Sequence, residues 1–193
     1  PYILQAGGDV YSKIGSKDCP GPKLYCISGH VKRPGVYELP MGTILREIIY
    51  THAGGIKGGK KLKAVIPGGI STPVLPAAQI DCPMDFISMS KSGSMLGSGA
   101  IIVMDESVCM VKVLYRAMKF FEHESCGKCT PCREGTGWLS SIIGRIENGK
   151  GKKEDIELLS DVAGNISGKT FCPLGDGAAT VSMSMIKHFR DEF

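Results

Sequence analysis

Glu124-Ser125-Cys126-Gly127-Lys128-Cys129-Thr130-Pro131-Cys132-Arg133-Glu134-Gly135 places three thiols inside one short loop, and the pattern on either side of it is helical. Upstream, Val108, Val111, Leu114, Tyr115, Met118 and Phe121 recur at three and four residues, the spacing of one helix face. Downstream, Trp138, Leu139, Ile142, Ile143 and Ile146 do the same and stop at Asn148-Gly149. Ile156, Leu159, Val162, Ala163 and Ile166 form a third stripe closed by Gly168; Ala179, Ser182, Met183, Ile186 and Phe189 form a fourth. Four amphipathic helices with short links predict a small four-helix bundle over 105–193, with the cysteine loop between its first two helices. The Met and aromatic residues on these stripes are read as core filler.

Before the bundle the period changes. Leu24-Tyr25-Cys26-Ile27-Ser28 and Val36-Tyr37-Glu38-Leu39 flank a Pro34-Gly35 turn and read as a hairpin. Thr43 is placed to cap a short helix over 44–50, with Ile44, Leu45, Ile48 and Ile49 on one face. Lys63-Ala64-Val65-Ile66 is a third strand and Ala100-Ile101-Ile102-Val103-Met104 the last. Strand, strand, helix, strand, strand is the order of a β-grasp, or ubiquitin-like, domain over 23–104. The stretch between Ser71 and Gly99 reads mostly as loop. Residues 1–22, with possible helical turns at Tyr2-Ile3-Leu4 and Val10-Tyr11, make no core and read as the tail of a preceding domain. The fold class is therefore α+β: a β-grasp domain followed by a helical bundle.

Composition excludes several classes. Apolar residues are 42% and charged residues 22%, ordinary for a globular protein of 193 residues. No apolar run reaches the roughly eighteen residues of a membrane span, so no membrane insertion is expected. The net charge of +4 is mild. Lys57, Lys60, Lys61 and Lys63 lie in a Gly-rich loop without interleaved aromatics, so no nucleic-acid partner is expected. The start at Pro1 reads as a fragment rather than a natural beginning.

Three of the eight cysteines fall within the one loop, too close for separate structural bridges. Clustered thiols without a secretion signal point to a metal in a reducing compartment. A [4Fe–4S] cubane needs a thiolate at each iron corner, and Cys-x2-Cys-x2-Cys serves three adjacent corners from one tight loop. The fourth comes from elsewhere, commonly a Cys before Pro. After the triple only Cys172-Pro173 qualifies, at the link between the third and fourth helices. In an antiparallel bundle that link lies at the same end as the triple. Cys126, Cys129, Cys132 and Cys172 are thus the candidate ligands. Cys132 and Cys172 are each expected just before a helix, whose dipole and free N–H groups favour anionic sulfur. Lys128 and Arg133 add positive charge, and Gly127 and Gly135 would admit N–H···S bonds. The alternative occupant is zinc in a redox-silent interaction module, although structural zinc more often takes two separated Cys pairs. Cys26 and Cys109 are expected to be buried, and Cys19 and Cys82 to be free thiols in loops. His123 is read as a helix C-terminal histidine bonded to a carbonyl. Gly54-Gly55, Gly58-Gly59 and Gly68-Gly69 lack a phosphate-loop or dinucleotide pattern and read as turns.

The string Glu124 to Gly135 closely resembles the cluster motif of the NADH-binding flavoprotein subunits of respiratory complex I. So do Ser28-Gly-His-Val-Lys-Arg-Pro-Gly-Val-Tyr37 and Gly93-Ser-Met-Leu-Gly-Ser-Gly99 leading to Met104-Asp-Glu106. The resemblance runs in order along the whole sequence and implies an oxidoreductase role, as part of NADH:quinone oxidoreductase. In that family a flavin mononucleotide (FMN) takes hydride from NADH and feeds single electrons to the cluster, which passes them to iron–sulfur partner subunits of the peripheral arm. It also implies a cytoplasmic location, peripheral to the inner membrane, and the same four cysteines as ligands. The β-grasp part resembles the family's soluble ligand-binding (SLBB) domain, taken as structural. The family's Gly-Arg-Gly-Gly-Ala-Gly-Phe flavin motif does not occur here. FMN and NADH are therefore expected only in the full-length protein, and this portion alone is not expected to be catalytic. The related diaphorase subunits of NAD-linked hydrogenases and formate dehydrogenases are the alternative within the family; they often add a C-terminal ferredoxin-like domain, for which no sequence is present here.

Overall fold

The structure, a computed structural model, describes residues 1–193. The chain divides into two units, Pro1–Ser107 and Val108–Phe193.

The first unit opens with two short helices, α1 (Tyr2–Ala6) and α2 (Gly8–Tyr11), neither of which buries a residue. A small antiparallel pair follows, β1 (Gly15–Ser16) with β2 (Cys19–Pro20). The main sheet has five strands: β3 (Pro22–Gly29), β4 (Gly35–Pro40), β5 (Leu62–Ile66), β6 (Leu75–Pro76) and β7 (Ala100–Asp105). Their order is β4-β3-β7-β5-β6, with β3 and β7 parallel at the centre and every other pair antiparallel. Central parallel pairing of the first and last main strands is the β-grasp arrangement. Along β3 the alternation sends Tyr25 and Ile27 into the core and leaves Leu24, Cys26 and Ser28 outside. That period-two frame is why Cys26 is exposed, not buried as its apolar neighbours suggested.

One face of the sheet is covered by α3 (Leu45–Glu47), which runs on as a π-helical turn over Ile48–His52. Leu45, Ile48 and Ile49 are fully buried there with Tyr25, Ile27, Ile101 and Val103. The expected Thr43 cap is not made. Ile44 stands at the N-cap and Thr43 Oγ1 donates instead to the Pro40 carbonyl at 2.7 Å. The stretch 71–99, expected as loop, contains β6 and the helix α4 (Phe86–Lys91). Asp85 caps α4, its Oδ1 accepting the Ser88 N–H at 2.7 Å. Asp85 also helps raise Tyr25, whose phenol is pushed up to about 12, first by burial and then by the nearby carboxylate. Tyr25 Oη donates to the Met84 carbonyl at 2.9 Å, fastening the sheet to the segment before α4. Cys82 is a free thiol in a loop as expected, and its side chain is buried in this core.

The second unit is four helices: α5 (Met110–Glu124), α6 (Thr130–Glu147), α7 (Glu154–Ile166) and α8 (Pro173–Phe189). Each packs on its neighbours in sequence, and α8 returns to α5, closing the bundle. Leu114, Met118 and Phe121 of α5, Leu139 and Ile143 of α6, Leu159 and Ala163 of α7, and Ala178, Val181 and Met185 of α8 fill the centre. Two residues assigned to these stripes face out. Trp138 is 59% exposed because the buried row runs Gly135, Leu139, Ile142 and Ile143, one position off it. Met183 is likewise displaced by Val181, Ser182 and Met185. Cys109, expected on a helix and buried, is the exposed N-cap residue of α5. The link from α6 to α7 is held by Asp155, whose carboxylate takes Arg145 Nη2 at 2.6 Å and the Lys152 N–H at 3.0 Å. The Arg145 bond, then the Lys152 amide, holds Asp155 below the usual carboxylate range.

Candidate metal centre

The cysteine loop leaves α5 at Ser125, the C-cap residue, whose N–H still bonds the Phe121 carbonyl at 3.1 Å. Gly127 then turns the chain at φ 76°, a conformation a side chain would strain. Cys126 is exposed, Cys129 half-buried and Cys132 buried. Cys129 is the N-cap of α6, and Cys132 lies inside its first turn rather than before the helix as expected. The reason is Thr130-Pro131: proline suits the first turn of a helix, so α6 starts two residues earlier than the last cysteine. Cys172 is the exposed N-cap of α8, with Pro173 opening that helix.

Neither α6 nor α8 has a side-chain cap. Their first N–H groups are therefore not spent on a hydroxyl or carboxylate at the N-cap, and α6 carries no acidic residue in its first turn. Such an end presents partial positive charge to an anion, about half an elementary charge per helix. Ile166, the last residue of α7 and 1% exposed, joins the two ends. A Cβ on Gly135 would stand 2.6 Å from Ile166 Cδ1, and a Cβ on Gly175 would stand 3.1 Å from Ile166 Cγ2. Gly135 follows Cys132 by three residues and Gly175 follows Cys172 by three. The starts of α6 and α8 thus meet across one side chain, and the remote cysteine shares the triple's end of the bundle. Gly135, expected to admit an N–H···S bond, is needed for this contact. Gly135→Ala is expected to cost about 1–3 kcal/mol through overpacking, measured by urea unfolding. Ile166→Val in the same protein should recover part of that loss, and no recovery would refute the contact as its cause.

Polar contacts brace the loop. Arg133 Nη1 donates to the Gly127 carbonyl at 2.8 Å and its Nε to Glu134 at 2.8 Å. The guanidinium, expected to act as charge beside the ligands, is thereby committed to holding the loop shape. Ser125 Oγ lies 3.3 Å from Cys132 Sγ. Thr170 Oγ1 donates to the Cys172 carbonyl at 2.9 Å, and Asp176 Oδ1 accepts the Gly168 N–H at 2.7 Å, fixing the approach to α8. Spacing did not disclose Ser125, Thr170 or Asp176, because ordinary hydroxyls and carboxylates carry no motif. His123 is exposed in the last turn of α5, and its ring makes no carbonyl bond, contrary to expectation.

No group of three or more His, Cys, Asp or Glu side chains is gathered tightly enough to hold a single metal ion. A cubane presents four separate iron corners and takes its thiolates from a wider perimeter than one ion with a shared centre. An all-thiol donor set at two uncapped helix ends fits such an anionic group.

Comparison with known proteins agrees with this division. Residues 112–193 match the family described as the NADH-ubiquinone oxidoreductase-F iron-sulfur binding region, and residues 23–103 match the SLBB domain. The helical unit thus corresponds to a region described as iron-sulfur binding, and the β-grasp unit to the SLBB domain. The whole chain is 53% identical to an NADH-quinone oxidoreductase F subunit of Rhizobium meliloti (strain 1021), covering 46% of that protein. It is 51% identical over its whole length to the NADH-quinone oxidoreductase F subunit of Mycobacterium bovis (strain ATCC BAA-935 / AF2122/97), covering 43% of it. Among solved structures, an air-oxidized NAD+-reducing [NiFe]-hydrogenase superposes with a TM-score of 0.88 at 32% identity, over 99% of this chain and 32% of that one. The chain is similar along its whole length to NADH-quinone oxidoreductase F subunits, and it spans a little under half the length of the curated relatives it matches. No helix is long and apolar enough to cross a membrane.

Proposed function

We propose that Cys126, Cys129, Cys132 and Cys172 ligate the [4Fe–4S] cluster of this region, and that residues 105–193 relay single electrons within an NADH-oxidising subunit. The observation that carries this reading is the meeting of α6 and α8 at Ile166, with a cysteine at the N-cap of each helix. The bound cluster supplies reversible one-electron storage. The protein supplies the rest. Two helix N-termini offset the anionic charge of four thiolates, each by a few tenths to about 1 kcal/mol. Burial of Cys132 keeps water from that sulfur, and Arg133 holds the Cys126–Cys129 turn closed.

Residues 23–104 act in this reading as a structural β-grasp module, and 1–22 as the end of a preceding flavin- and NADH-binding part. FMN and NADH would be held by that preceding part and would supply the electrons, and iron–sulfur subunits of a membrane-peripheral complex would be the acceptors. Identity near 50% along the whole chain favours a quinone-linked enzyme over the hydrogenase diaphorase, which stands at 32%. The test is metal analysis of the full-length protein purified anaerobically. About four irons per protein molecule and a paramagnetic signal on reduction are expected. A colourless protein with one zinc would overturn the relay.

A further inference from the structure

We infer that Ser125 is a positioning residue that tunes this centre: its hydroxyl donates a hydrogen bond to the Cys132 thiolate and raises the reduction potential of the cluster that thiolate ligates. The inference rests on Cys132 being a ligand.

Ser125 Oγ stands 3.3 Å from Cys132 Sγ, within range for a bond to sulfur. A thiol could donate to the hydroxyl, but a metal-bound thiolate has no proton, so only Ser125 can donate in the loaded site. The oxygen also accepts the Gly127 N–H at 3.5 Å, which leaves its hydrogen for the sulfur. The serine is held from both sides. Its own N–H is tied to the end of α5 through Phe121, and the turn at Gly127 is clamped by Arg133 at 2.8 Å. Cys132 is 4% exposed, so water does not compete strongly for its sulfur.

A donor fixed on a ligand sulfur favours the state with more negative charge. Reduction adds one electron to the centre and moves no proton; the hydrogen stays on Ser125 Oγ, and no bond forms or breaks. The reduced state gains more from the bond than the oxidised state, so the potential rises. Cys126 and Cys172 are exposed and their sulfurs are open to water, which makes Cys132 the ligand where a single protein donor counts most.

The test is a dithionite titration followed by paramagnetic resonance on the full-length protein carrying its cluster, with Ser125→Ala, Ser125→Thr and Cys132→Ser. Ser125→Ala is expected to keep its iron. Its ratio of reduced to oxidised centre at fixed potential should fall about three- to tenfold, tenfold being about 59 mV for one electron. Ser125→Thr should restore the wild-type midpoint, since a threonine hydroxyl reaches the same sulfur and the φ of −62° suits a branched side chain. An unchanged midpoint in Ser125→Ala overturns the inference, as does a threonine variant that behaves like alanine. Loss of iron in Ser125→Ala also overturns it, because the hydroxyl would then be structural. Cys132→Ser separates the two readings: it should lose iron, and full retention would sink the ligand assignment itself.

Discussion

Replacing Cys172 by serine is expected to yield protein that fails to hold a complete cluster, with iron falling well below the wild-type content after anaerobic purification. Serine keeps the N-cap position and can still cap α8, so the bundle should remain folded by circular dichroism. What it removes is the soft thiolate. A hydroxyl near neutral pH is overwhelmingly protonated and is a poor ligand for iron in such a site. Cys82→Ser is the matched control. Cys82 is 6% exposed in the core of the first unit, with Met89 Sδ at 3.7 Å from its sulfur. Its loss should cost about 1 kcal/mol and leave iron unchanged. Equal iron loss in both variants would refute the choice of Cys172 as the remote ligand.

Gly29→Ala is expected to destabilise the first unit strongly. Gly29 ends β3 at φ 85°, and a Cβ there would stand 2.2 Å from the Val103 carbonyl oxygen of β7. That oxygen is backbone and belongs to the parallel pair at the centre of the sheet, so it cannot turn aside. Dihedral strain and the forced separation together should cost about 4 kcal/mol, a large share of a small domain's stability. Gly58→Ala isolates the two effects. Gly58 has φ 69° but nothing within 4 Å of a Cβ, so it should show only the dihedral cost of about 1 kcal/mol. A shift in urea midpoint no greater for Gly29→Ala than for Gly58→Ala would refute the steric account.

Legibility followed range. Helix stripes and strand alternation are local and periodic, so the bundle and the main strands could be read from residue order. Trp138 and Met183 were misplaced because adjacent apolar residues leave the angular frame of a stripe open by one position, and packing chooses it. Cys26 was misjudged similarly: strand membership was evident, but the face was set by Tyr25 and Ile27 filling the core. Helix α4 could have been read from Asp85 and Ser88, an N-cap and its third residue, had the proline-rich surroundings not obscured it. At the centre, the cysteines stood out by spacing, whereas Ser125 carries no pattern.

Residue order alone determined the four helices and the main strands, and it singled out the three clustered cysteines and Cys172 before proline as candidates. These depend on neighbours a few positions apart, which covalent spacing controls. Tertiary structure decided that Cys132 is buried inside the first turn of α6, and that α6 and α8 begin against opposite sides of Ile166. It also decided that a serine from the end of α5 reaches the buried sulfur. Those facts depend on how helices distant in sequence press together, where a contact of a few tenths of an ångström settles which residue fits.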